Sequence, residues 1–124
     1  EILIGLVGSE MCIRDRDGGL FDEGHEEGGI AVPNKVWWVQ AEAVVGSVNA
    51  WQITGDEKYL DSALKSWAYI KAEIINGPAG EWFASGKNSP DEENSHLLCG
   101  PWKCPYHNAR AAFEIYERCE ALEK

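Results

Sequence analysis

Positive charge is scarce in this chain. Lys and Arg number 11 against 21 Asp and Glu, a formal charge of −10 over 124 residues. Nucleic acid and anionic membrane surfaces are gripped by clustered Lys and Arg, so neither is an expected partner. The acidic residues are spread out, apart from Asp91, Glu92 and Glu93, and read as solvated surface. Long apolar runs are missing as well, and nothing approaches the ~20 residues of a membrane span. Cysteine is sparse: Cys12, Cys99, Cys104 and Cys119, with no C-x-x-C pair and no dense spacing. The opening residues have no signal-peptide features, so a reduced, cytoplasmic chain is expected. Cys99, Cys104, His107 and Cys119 do not have zinc-site spacing, and Cys119 falls on a different helix face from His107. No metal is expected.

Against these absences stand six tryptophans in a length that suits one small domain. Each must pack in a core or line a site. The opening stretch, EILIGLVGSEMCIRDR, does not match the rest of the chain, and Met11 is internal. LVGSEMCIRDR resembles the translated sequencing-adapter scars found at the ends of metagenomic reading frames. Residues 1–16 are therefore expected to be non-native, and 17–124 to be the C-terminal fragment of a larger domain.

From Asp17 the pattern becomes regular. DGGLFDEG and EEGGIAVPNK carry glycine pairs around short apolar patches and predict a hairpin or an irregular loop. Asn34 is a candidate cap for a helix running to Thr54. In that helix Trp37, Ala41, Val44, Val48 and Trp51 share a stripe, while Val39, Ala43, Val45 and Ala50 make the other side apolar too. A helix apolar nearly all round should be buried. Gly55 and Asp56 close it and cap the next, which runs to about Ile75 with a stripe of Tyr59, Leu60, Ala63, Trp67, Ile70 and Ile74. Gly77 and Pro78 should stop it, GEWFASG reads as a short strand or loop, and a last helix starts near Pro105. Its apolar face comprises Ala109, Ala112, Phe113, Ile115, Tyr116, Cys119 and Leu122, with His107, Arg110 and Glu114 opposite. A buried helix, a cover helix and a further helix are the rhythm of an α/α toroid. Three helices cannot close such a ring, so the first should need partners from outside this chain.

Two side chains stand out chemically. Glu42 sits in an apolar helix, on the face of Trp38, and must be paired, protonated or turned to a polar cavity. A flat indole beside a buried acid also suits a sugar ring, with C–H faces stacked and hydroxyls hydrogen-bonded. His107 lies in a first helical turn, with Arg110 one turn on. The helix dipole and that guanidinium both disfavour a charged imidazole, leaving a ring able to accept a proton. The plain readings are a structural ion pair for Glu42 and a capping or exposed histidine for His107. His25 and His96 lie in polar loops, and Trp102 is either a lid or a plug.

The segments NKVWWVQAEAVVGSVNAWQITGDEKYL, GEWF and PWKCPYHNARAAFE resemble the C-terminal part of the cellobiose 2-epimerases, in the N-acylglucosamine 2-epimerase superfamily. The resemblance covers residues 17–124. It implies an all-α fold, the C-terminal part of an (α/α)6 barrel with short β-hairpin loops. It also implies cofactor-independent inversion at C2 of the reducing-end glucose of a β-1,4-linked disaccharide, through a cis-enediol(ate). Two histidines do the proton work, and His107 matches one of them. Trp37 or Trp38, with Trp102, matches the stacking aromatics. Glu42 and Arg110 match polar residues around the sugar, and Glu23 a loop acid that touches it. The second histidine and the N-terminal part of the barrel lie outside the chain, so the chain alone should be inactive. The alternatives are an N-acylglucosamine 2-epimerase, a mannose isomerase, or a non-catalytic carbohydrate-binding fragment. A toroidal glycoside hydrolase would need an acid pair that Glu42 alone does not supply.

Overall fold

A computed structural model describes residues 14–25, 27–91 and 95–124. Most of the segment expected to be non-native, Cys12 included, lies outside the described residues. Of its last residues, Arg14 donates to Gly18 O, Ser62 Oγ and Ser66 Oγ, and Asp15 pairs with Lys35.

The glycine-rich stretch forms a hairpin, β1 (Glu23–Gly24) against β2 (Ile30–Val32), antiparallel and with an irregular register. Gly28 and Gly29 turn it at φ of 100° and 91°, where a side chain would be strained. Helix α1 (Trp37–Thr54) follows. Asn34 does not cap it. Its Oδ1 accepts from Ser89 Oγ, while Val36 takes the cap position in extended backbone and bridges to Ser85. Gly55 closes α1 in the left-handed conformation, donating to Trp51 O, and Asp56 caps α2 (Glu57–Tyr69) through the Lys58 amide. The second helix does not run regularly to Ile75. It widens into a π-helical turn, Ile70–Ile74, and passes directly into β3 (Ile75–Asn76), paired with β4 (Glu81–Trp82). Helix α3 (Tyr106–Leu122) completes the chain. Pro105 occupies the cap position ahead of its first turn, its carbonyl accepting from the Ala109 amide.

The core sits between α1, the end of α2 and the β3–β4 hairpin. It comprises Trp37, Val44, Tyr69, Ile70, Ile74 and Ala84. A smaller cluster of Ala41, Val45 and Ala111 joins α1 to α3. Tyr69 is pinned from both sides: a Cβ at Gly19 would meet its ring at 2.9 Å, and one at Gly86 would meet its hydroxyl at 1.9 Å. Burial keeps that phenol protonated, well above its ordinary range, helped by the charges of Asp17, Glu73 and Asp15. Gln40, fully buried, satisfies both backbone groups of Leu20 with its one amide, which fixes the loop ahead of β1 to α1.

Eight residues of helix α1 are buried within this chain, while Trp38 and Ile53 on the same helix are exposed. The apolar face of α3 is largely open. Phe113, Tyr116 and Leu122 are exposed, and only Ala111 on that helix is buried. Across from that open side lie Leu64 and Trp67 of α2, also exposed.

Candidate functional site

Glu42, His107 and Arg110 meet where α1 faces the first turns of α3. Residues 107 and 110 are three apart, so one side of α3 aims both at α1. Glu42 Oε1 lies 2.8 Å from His107 Nδ1, and Arg110 Nη2 donates to Glu42 Oε2. One carboxylate thus holds two α3 side chains through its two oxygens. Burial raises the Glu42 carboxyl, but the hydrogen bonds from Arg110 and His107 outweigh it and hold the group below its ordinary 4.5. The same bond raises Arg110, against a smaller opposing effect of burial. An ionised carboxylate only accepts, so Nδ1 of His107 carries a proton and donates it. Nε2 is the nitrogen left to exchange a proton with a ligand. His107 keeps a third of its side-chain surface exposed, 33%, so the cluster is a partly open site and not a sealed ion pair.

Of the two adjacent tryptophans, Trp38 stands beside His107, ring centres 5.7 Å apart, and is 41% exposed. Trp37 is in the core, under the Lys103 ammonium. Tyr106, not singled out from the sequence, meets His107 edge-on at 5.0 Å. Trp102 is 90% exposed, at the tip of the loop before α3. Glu23 lies exposed on β1, and among the described residues no hydrogen bond or ion pair links it to the Glu42 cluster.

A second polar network lies behind the first turn of α3 and was not read from the sequence. Glu81 Oε1 accepts from Lys103 Nζ at 3.3 Å, from Asn108 Nδ2 at 2.7 Å and from the Trp82 amide. Burial raises the Glu81 carboxyl, and these donors bring it below its ordinary range. Lys103, only 3% exposed, also donates to Leu98 O. The sequence signal was a lysine set among Trp, Cys and Pro, where an ammonium needs a partner. Further along α3, Glu114 joins Arg110 to Arg118, which reaches Gln52 on α1.

Among the described residues no group of three His, Cys, Asp or Glu side chains is placed to hold a metal ion. No described helix is long and apolar enough to cross a membrane. A cavity of about 720 Å³ is not lined by Glu42, His107 or Arg110. It is an apolar groove between α2 and α3, floored by Ala41, Val44 and Val48 of α1.

Comparison with known proteins bears on this geometry. Residues 7–111 match the family model for N-acylglucosamine 2-epimerase (GlcNAc 2-epimerase). The cellobiose 2-epimerase of Ruminococcus albus is 48% identical over 85 residues, 68% of this chain and 22% of the relative. The structure of cellobiose 2-epimerase from Bacillus thermoamylovorans B4167 superposes with a TM-score of 0.75 at 38% identity, over 94% of this chain and 29% of that one. A crystal structure of D-mannose isomerase gives 0.75 at 25% identity, over 90% and 28%. The chain therefore spans less than a third of the length of these relatives. Its helices and hairpins are part of an (α/α)6 barrel.

Proposed function

Because the chain belongs to the N-acylglucosamine 2-epimerase family, we propose that it supplies one side of a sugar 2-epimerase site, acting on the reducing-end glucose of cellobiose or a related β-1,4-linked disaccharide. The observation that carries this reading is the 2.8 Å contact between Glu42 and His107 Nδ1, set beside the half-exposed Trp38. In the ring-opened sugar the C1 aldehyde acidifies the C2–H bond. Nε2 of His107 takes that proton, and the electron pair passes into a cis-enediolate. A proton returned to the opposite face inverts C2, and the group that returns it lies outside this chain. Glu42 keeps the ring oriented and its Nδ1 protonated through the exchange, and Arg110 fixes Glu42. Trp38 stacks on the sugar face, Trp102 borders the mouth, and Glu23 touches the sugar from the hairpin. Trp37, being core, is left without a sugar contact. No metal is needed if hydrogen bonds hold the enediolate oxygen.

A mannose isomerase would use the same first step and return the proton to C1. The likeness to D-mannose isomerase keeps this as the second reading. Both are tested by exchanging residues 17–124 for the matching segment of the Ruminococcus albus enzyme and incubating the chimera with cellobiose or mannose in D2O. The epimerase reading predicts deuterium at C2 of cellobiose and formation of its mannose-ended epimer. His107→Asn should lower turnover by about 10²–10⁴. The chain alone should give no exchange. Unchanged turnover in the His107→Asn chimera would sink the assignment and leave a non-catalytic helical segment.

A further inference from the structure

Two exposed thiols flank the turn that carries Trp102. Cys99 and Cys104 bracket residues 100–103, whose end members are joined twice. The Gly100 amide donates to Lys103 O at 3.0 Å, and the Lys103 amide donates to Gly100 O at 3.2 Å. These two bonds hold residues 100 and 103 side by side, with Pro101 and Trp102 at the tip of the turn. The residues one step outside that pair need Cα atoms about 4.4–6.8 Å apart to be joined by a disulfide. Those positions are Cys99 and Cys104, both free and exposed. The turn is also anchored. The Lys103 ammonium holds Leu98 O, just before Cys99, and Glu81 of β4, while Lys103 itself just precedes Cys104. One buried cation therefore fixes both limbs.

We propose that Cys99 and Cys104 form a reversible intrachain disulfide, closed by exchange with a small disulfide of the oxidised-glutathione class. One protein thiolate attacks a reagent sulfur, forming a mixed disulfide and expelling one glutathione thiolate. The second protein thiolate then attacks the protein-side sulfur, forming the Cys99–Cys104 bond and expelling the other. The two cysteines lose two protons and two electrons. The reagent's S–S bond takes the electrons, and the two glutathione thiols take the protons. An exposed pair of this kind belongs with labile disulfides, reopened by reduced glutathione, and not with structural ones. Closing it ties the loop bearing Trp102 directly to the start of α3, two residues before Tyr106.

The test treats the whole folded chain with oxidised glutathione, alkylates the remaining thiols and digests with trypsin. Cleavage after Lys103 separates residues 88–103 from 104–110 unless the bond joins them. An uncut 88–110 peptide is read by its mass, lighter by two hydrogens when bonded. The expected result is the joined pair, released by reductant, with 119–124 recovered alkylated at Cys119. In concentrated urea, at the same ratio of oxidised to reduced glutathione, the joined fraction should correspond to an equilibrium constant about tenfold lower. Cys99→Ser should leave glutathione on Cys104. Separate alkylated or glutathionylated peptides in the native chain, pairing with Cys119, or an equal equilibrium in urea would each overturn the proposal.

Discussion

The two sides of α3 differ in a way their composition would not suggest. The side rich in charge, with His107, Arg110, Glu114 and Arg118, is closed against α1 through Glu42 and Gln52. The side rich in apolar residues, with Ala112, Tyr116 and Cys119, borders an open groove of about 720 Å³. What closes the first side is small residues. Ala111 packs against Ala41 and Val45, so the helices come near enough for carboxylates and guanidiniums to meet directly. What leaves the second open is the lack of a neighbour among the described residues, although Leu64 and Trp67 face the groove from α2. Hydrophobicity marks a surface that favours cover. It does not say which part of a chain supplies the cover.

The largest break in this comparison comes from Ala111. A leucine there must fit against Ala41, which is fully buried, and Val45. Overpacking of that kind costs about 1–3 kcal/mol and pushes the two helices apart. Ala111→Leu in the chimera should lower the urea midpoint by that amount and reduce turnover too, because His107 and Glu42 sit on opposite sides of the contact. A variant of unchanged stability would show that small residues do not set the approach of α1 and α3.

Glu42→Gln keeps the shape of the contact and removes its charge. His107 keeps a neutral acceptor, and Arg110 keeps only its longer pairing with Glu114. Turnover in the chimera should fall roughly ten- to a hundredfold, less than on removing the imidazole itself. The KM should change less than kcat, since Glu42 acts through His107. A change in KM alone would instead make Glu42 a sugar contact.

The helices and their local signals were legible in the sequence. Gly55 and Asp56 take the cap roles expected of them, because both depend on neighbours within four residues. The meeting of Glu42 with His107 and Arg110 was foreshadowed by their helix faces, but their pairing is a long-range fact. Trp37 and Trp38 could not be told apart. On a helix apolar nearly all round, only tertiary packing decides which indole enters the core. For α3, periodicity finds the apolar face without counting what is available to cover it. The π-helical end of α2, within the run IKAEII, and the Glu81–Lys103–Asn108 network had no local pattern. That network draws one residue from each of three separate segments.

Acidification tests the charged side alone. Glu42 titrates below its ordinary 4.5 in the folded chain, so its contribution to stability is complete above that pH. The contribution is lost as pH falls through the depressed folded value. The part of the stability difference between the parent and Glu42→Gln that comes from this carboxyl should therefore be complete above 4.5 and shrink on going below it. Glu81 titrates in the same window and is unaffected by the substitution, so comparing the two proteins cancels its share. A difference that grows on acidification would reverse the sign assigned to Glu42.

The smallest effect is expected one residue from the largest. Ala112 lies beside Ala111 but faces the groove and is exposed. In the isolated chain, Ala112→Leu adds a side chain to open space and should alter stability by no more than about 0.5 kcal/mol. In the chimera the outcome depends on what fills the groove. If a helix from the rest of the barrel lies there, the same leucine meets it, and the urea midpoint falls as it does for Ala111→Leu. The matched pair of neighbouring alanines therefore separates two causes of an open surface. Equal tolerance of Ala112→Leu in both proteins would mean that the groove stays open in the complete barrel. Tolerance in the chain and intolerance in the chimera would mean that it is the seam where the ring closes.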